Sequence, residues 1–193
     1  MPEYRRAFVA GATFFFTVVT NFRKPILRGP QAVEALRFAF ADVRRNHPFD
    51  IDATVILPDH LHCIWTMPPD DDDFAMRWRL IKGQFTRRYL QRGGSEMALS
   101  QSRRRHNERG VWQRRYWEHL IHDDQDLDMH MDYIHYNPVK HGLAECPHHW
   151  PFSSFNKWVE RGAYEPDWCC ACRRRTAKIP SFAAIEDQVG EPI

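Results

Sequence analysis

The chain reads as an alternation between period-two and period-three-to-four stretches. Thr13 to Thr20, TFFFTVVT, is an unbroken β-branched and aromatic run of the kind that makes a buried strand. After Gly29-Pro30 the period lengthens. Val33, Leu36, Phe40 and Val43 fall three or four apart, predicting a helix to about Asn46 with one core-facing stripe. Ala53 to Leu57 and Leu61 to Met67 are β-rich and flank Pro58-Asp59, so they read as two strands joined by a tight corner. Phe74, Trp78, Ile81, Phe85 and Tyr89 line one face of a helix from Phe74 to about Gln91, with Arg77, Lys82 and Arg88 assigned to the other. The acidic run Asp70 to Asp73 suits the positive end of that helix.

Further on, Gly93 to Gly110 is polar and reads as a mobile loop, and Val111 to Ile121 as another strand. Asp123, Asp124 and Asp126 open a helix with Leu127, Met131 and Ile134 on one face. A short helix near Ser153 to Arg161 precedes a loosely ordered tail. The order β-α-β-β-α-β-α predicts an α+β fold, an antiparallel β-sheet with flanking helices. Residues 1–150 form its main domain and 151–193 a C-terminal extension.

Composition narrows this picture. At 193 residues, 43% hydrophobic and 13% aromatic, the chain fits one soluble domain with a sizeable core. No apolar run approaches the roughly 20 residues that span a bilayer. The N-terminal apolar run is short and β-like rather than a signal segment, so the expected location is cytoplasmic. Net charge is only +2, yet Arg77 to Arg115 holds twelve Lys/Arg against Glu96 and Glu108. Aromatic residues such as Trp78, Phe85, Tyr89 and Trp112 lie among those charges, which suits nucleic acid. A solvated helix face followed by a basic loop would carry the same charge. Five cysteines are read as reduced thiols. Cys169-Cys170-Ala171-Cys172, near His148 and His149, could hold zinc, although no paired C-x-x-C spacing is present.

Two stretches carry candidate chemistry. Strand side chains alternate, so His60 and His62 share a face while Leu61 points to the opposite, apolar side. Two imidazoles on a rigid strand can chelate a divalent cation, or can simply be polar residues on a solvated sheet face. In the helix ending Met131-Asp132-Tyr133-Ile134-His135-Tyr136-Asn137-Pro138, Tyr133 and Asn137 are four apart and project from one side. A tyrosine hydroxyl can attack phosphorus, with help because its usual pKa is about 10. An Asn oxygen could complete a metal shell begun by the histidines. Asn137-Pro138 followed by Gly142 reads equally as the cap and first turn of a short second helix.

Taken together, YRRAF, TFFFTVVT, HPFDIDATVILPDHLHCIWTMP, DDDFAMRWRLIKGQF, VWQRRYWEHLI and MDYIHYNPVKHGL resemble the REP-associated tyrosine transposases, single-tyrosine members of the HUH endonuclease superfamily. The resemblance spans about Tyr4 to Trp168 and implies a ferredoxin-like HUH endonuclease fold. It implies Tyr133 as nucleophile and His60 and His62 as ligands of Mg²⁺ or Mn²⁺. Asn137 stands where related enzymes carry a third polar ligand, often Gln. The implied activity is cleavage and rejoining of single-stranded DNA at REP-type hairpins through a 5′-phosphotyrosine link. Tyr4, Arg5 and Arg6 match a segment that grips a tetranucleotide beside the hairpin. Charge alone adds Arg77, Lys82, Arg88, Arg103, Arg104, Arg105 and Arg114 as DNA contacts. No ATP is needed, because transesterification conserves the phosphoester bond. The alternatives are a domesticated REP-hairpin binder with little cleavage and a metallohydrolase in which Tyr133 is dispensable. No membrane partner is expected, and a monomer or a homodimer fits equally.

Overall fold

The computed structural model describes residues 8–106, 108–173 and 180–191. Among these residues four strands form one antiparallel sheet: β1 (Thr13–Val19), β2 (Asp50–Ile56), β3 (His60–Thr66) and β4 (Trp117–Leu120). Their spatial order is β2-β3-β1-β4, which puts the histidine strand in the middle of the sheet. The helices are α1 (Pro30–Asn46), α2 (Phe74–Gln91), α3 (Gln101–Arg105), α4 (Asp124–Lys140) and α5 (Phe155–Glu160). This is the α+β arrangement expected from the pattern. No described helix is long and apolar enough to cross a membrane.

Alternation along the strands divides the core in two. Phe14, Phe16 and Val18 of β1, with Leu61, Cys63 and Trp65 of β3, pack against α1 and α2. Trp65 stacks on Trp78 with ring centroids 4.3 Å apart. On the opposite face Phe15, Val55 and Ile64 pack against Met131, Tyr133 and Ile134 of α4. Burying each large apolar side chain contributes about 1.5–3 kcal/mol, so both helical layers are strongly held.

Local signals set the helix starts. The Asp73 carboxylate accepts from the Met76 N–H at 2.8 Å, and Asp123 accepts from the Asp126 N–H at 2.9 Å. Asp126 then fixes α4 over the sheet. Its Oδ2 lies 2.9 Å from both His119 Nε2 of β4 and the His122 N–H, and its Oδ1 lies 3.0 Å from His130 Nδ1. Tyr133 follows two turns later on the same helix.

The structure corrects four sequence expectations. The expected strand Val111 to Ile121 is regular only over Trp117–Leu120. Trp112 bridges Thr20 and Trp117 pairs with Thr17, so five residue steps face three, and the chain bulges outward at exposed Arg114 and Arg115. The polar 93–110 stretch contains α3 and is tied down by a bidentate Arg109–Glu96 pair at 2.6–3.0 Å. Pro138 lies inside α4 instead of opening a second helix, and Gly142, at φ +64°, ends the run. In the tail, residues 180–191 return to the sheet. Ile185 and Val189 are buried there among Phe15, Ile64 and Met131.

Candidate active site

One strand, β3, and one helix, α4, bring the predicted residues together. His60 and His62 project from β3 toward α4 and are both buried. Each ring is anchored through Nδ1. His60 Nδ1 is 2.6 Å from Asp59 Oδ1, and His62 Nδ1 is 2.8 Å from Thr17 Oγ1, its partner on β1. The Thr17 hydroxyl donates to the Val189 carbonyl, so its oxygen accepts from His62 Nδ1–H. Both Nε2 atoms are thereby turned the same way, each 2.8 Å from a single atom, Oε1 of Glu191. His141 Nε2 approaches that oxygen at 3.4 Å.

Tyr133 is buried beside them, with its ring centroid 5.3 Å from that of His62. Lys140 lies two helical turns along α4, and its Nζ is 3.1 Å from Tyr133 Oη and 2.9 Å from Glu191 Oε2. Asn137 occupies the intervening turn and is fully buried. Among the described residues neither its Oδ1 nor its Nδ2 has a hydrogen-bond partner of regular geometry, although it lies near enough to the Tyr133 hydroxyl to favour ionisation. A buried primary amide left this way costs roughly 1–3 kcal/mol per unmade bond, which points to a ligand.

The electrostatics centre on one carboxylate. Burial would raise the Glu191 pKa, but His141, His60 and His62 outweigh it and hold the carboxyl well below its usual range. Burial opposes charge on His60, yet hydrogen bonds to Asp59 and Glu191 prevail and raise its pKa. Burial pushes His62 down to about 4. Tyr133 is driven far above its usual range by burial first and then by the negative charge of Glu191. His62 therefore offers a neutral Nε2 lone pair to an anionic oxygen. Two imidazole Nε2 atoms and a spare amide oxygen form a donor set that fits a divalent metal, at the point where the Glu191 carboxylate now sits.

The sequence-derived DNA contacts divide. Arg77 is buried, bonding to Asp71 at 2.7 and 2.9 Å and to the carbonyls of His47, Pro48 and Asp73. It is a structural staple, closed to phosphate. Arg103 bonds to Asn21 and to the carbonyls of Arg109 and Trp112, and Lys82 to the Gln113 carbonyl. Arg88 lies 3.3 Å over the Phe38 ring. Arg104, Arg105 and Arg114 are exposed, with Arg114 also bonded to Glu108. Tyr4, Arg5 and Arg6 lie outside the described residues.

Sequence reasoning missed Thr17, Asp59, Lys140, His141 and Glu191. Lys140 was legible, seven positions after Tyr133 and so on the same helical face. Thr17 needed the β1–β3 register, and nothing local marked Glu191.

Comparison with known proteins gives the family. Residues 9–137 match the family model described as "Transposase IS200 like". The REP-associated tyrosine transposase of Escherichia coli (strain K12) is 45% identical over 168 residues, which cover 87% of this chain and 91% of that protein. The chain belongs to the REP-associated tyrosine transposases. A solved structure of a REP-associated tyrosine transposase bound to a REP hairpin matches at TM-score 0.74 and 40% identity, over 100% of this chain and 99% of that one.

Proposed function

We propose that this transposase cleaves and rejoins single-stranded DNA at REP-type hairpins, with Tyr133 as nucleophile. The observation that carries the reading is the convergence of Tyr133 Oη, the His60 and His62 Nε2 atoms and the orphaned Asn137 amide in one buried site. The hairpin in the solved relative supports the substrate class. Tyr133 Oη forms the new P–O bond, the bond to the 3′ oxygen breaks, and that oxygen leaves as a 3′-hydroxyl after taking up a proton. The product is a 5′-phosphotyrosine, and a free 3′-hydroxyl reverses the exchange to rejoin strands.

Tyr133 must lose its proton against burial. Lys140, whose ammonium lies 3.1 Å from Oη, stabilises the phenolate as it forms. Thr17 and Asp59 fix the tautomers that aim both Nε2 atoms. His60 and His62, with Asn137, would hold Mg²⁺ or Mn²⁺, which supplies charge neutralisation and polarisation at the scissile phosphate. Arg104, Arg105 and Arg114, with Tyr4, Arg5 and Arg6, are the contacts assigned to DNA backbone and flanking bases. Lys82, Arg88 and Arg103 contribute positive field at the edge of that surface.

A second reading, hairpin binding with little cleavage, is favoured by Glu191, whose carboxylate lies where the reacting groups converge. Incubating the protein with Mn²⁺ or Mg²⁺ and a labelled single-stranded hairpin with its flanking tetranucleotide separates the two. A covalent adduct that Tyr133→Phe abolishes supports the first. Tight binding with no adduct supports the second.

A further inference from the structure

Four metal-binding side chains gather at the junction of the main domain and the C-terminal extension. Cys146-Pro147-His148 forms a tight turn closed by the His149 N–H to the Cys146 carbonyl at 3.0 Å. Cys170-Ala171-Cys172 forms a second turn, tied to the first by the Ala171 N–H to the Glu145 carbonyl at 2.6 Å. The Cys146 and Cys172 sulfurs are 3.4 Å apart, and Cys170 Sγ lies 3.9 Å from His148 Nδ1. Cys146, His148 and Cys170 bring their donor atoms within 4.8 Å of one another.

We infer that Cys146, His148, Cys170 and Cys172 form a structural zinc site that clamps the extension to the main domain. Zinc in such sites takes four tetrahedral sulfur and nitrogen ligands, with Zn–S of about 2.3 Å, which sets sulfurs about 3.8 Å apart. The Cys146–Cys172 separation of 3.4 Å falls a few tenths of an ångström short of that edge. Cys146 and Cys170 are close enough to pair as a disulfide, and the structure pairs them. That arrangement uses two groups and leaves the Cys172 thiol beside Cys146 and the His148 imidazole beside Cys170. Zinc uses all four.

Cys169, the adjacent thiol, is buried and lies outside the group whose donor atoms converge. The clamped segment braces the nucleophile helix. Tyr164 donates to Asp132 of α4 at 2.8 Å, and the Trp168 ring packs edge-on to Tyr136 at 6.5 Å.

The test measures zinc in the full chain purified under reductant, alone and with His60→Ala/His62→Ala, so that the first site cannot supply the metal. About one zinc per chain is expected in both, with near-complete loss in Cys172→Ser and retention in Cys63→Ser. Cobalt exchanged into the wild-type chain reports the site even where a variant folds poorly. Thiolate-to-cobalt charge-transfer absorption supports the assignment. A wild-type chain lacking both zinc and that absorption overturns it. So does zinc retained in Cys172→Ser, or a Cys146–Cys170 disulfide trapped by alkylation in fresh lysate.

Discussion

Nε2 of His62 lies 2.8 Å from Oε1 of Glu191, a contact between residues 129 positions apart in the chain. It places a negative charge beside Tyr133 and, on the proposed mechanism, in the space that the scissile phosphate would need. Glu191 also raises the tyrosine pKa, so it opposes the reaction twice. Glu191→Ala is expected to speed adduct formation roughly tenfold, about 1.4 kcal/mol off the barrier. Single-turnover cleavage at saturating Mn²⁺ measures it. An equal or slower rate would show that the carboxylate aids catalysis.

Thr17 and Asp59 hold the two imidazoles through their Nδ1 atoms. Thr17→Val keeps shape but removes the oxygen that accepts from His62 Nδ1–H. The Mn²⁺ concentration for half-maximal cleavage should rise about 10- to 100-fold, while hairpin affinity without metal stays the same. A metal titration read by cleavage and by fluorescence anisotropy separates the two effects.

Two sets of arginines should behave oppositely. Arg77→Ala leaves three backbone carbonyls and Asp71 without their buried partner and should cost about 2–3 kcal/mol of stability, seen as a lower Tm. Arg104→Ala/Arg105→Ala should leave Tm unchanged, weaken hairpin binding and flatten the log–log salt dependence by about one unit per lost phosphate contact. An unchanged salt slope would remove those two residues from the DNA surface.

Asp126 ties α4 to β4. Burial favours its neutral form, but the His122 N–H and His119 outweigh it, so its folded pKa lies below the usual Asp value. Its stabilisation is therefore present above the unfolded pKa of about 3.9 and is lost as pH falls toward the folded one. Asp126→Asn should lower stability at pH 7 by about 2 kcal/mol, a gap that narrows below about pH 4. Denaturant unfolding at both pH values tests this.

What the sequence revealed follows from the range of each interaction. His60 and His62 share a face because strand alternation is strictly local, and Phe74 starts α2 because Asp73 caps it within one turn. Arg77 was assigned to solvent by its charge, although it lies three residues after Phe74 and four before Ile81, at the edge of the buried stripe. Position outweighed charge there because Asp71 and three carbonyls surround the guanidinium. Asn137 stays helical before Pro138 because α4 is held by packing on the sheet and closed past the proline by the His141 N–H to the Asn137 carbonyl at 3.0 Å. Glu191 depends on a chain return that no local period encodes.

The central claim is that Tyr133 itself takes the phosphate. Its most direct measurement is tandem mass spectrometry of the wild-type protein after reaction with Mn²⁺ and a REP-type single-stranded hairpin, then nuclease digestion. The expected result is a peptide containing Tyr133 with a nucleotide joined through a 5′ phosphate, and no such peptide from Tyr133→Phe. A nucleotide attached to another residue, or cleaved DNA at wild-type yield from Tyr133→Phe, would contradict it.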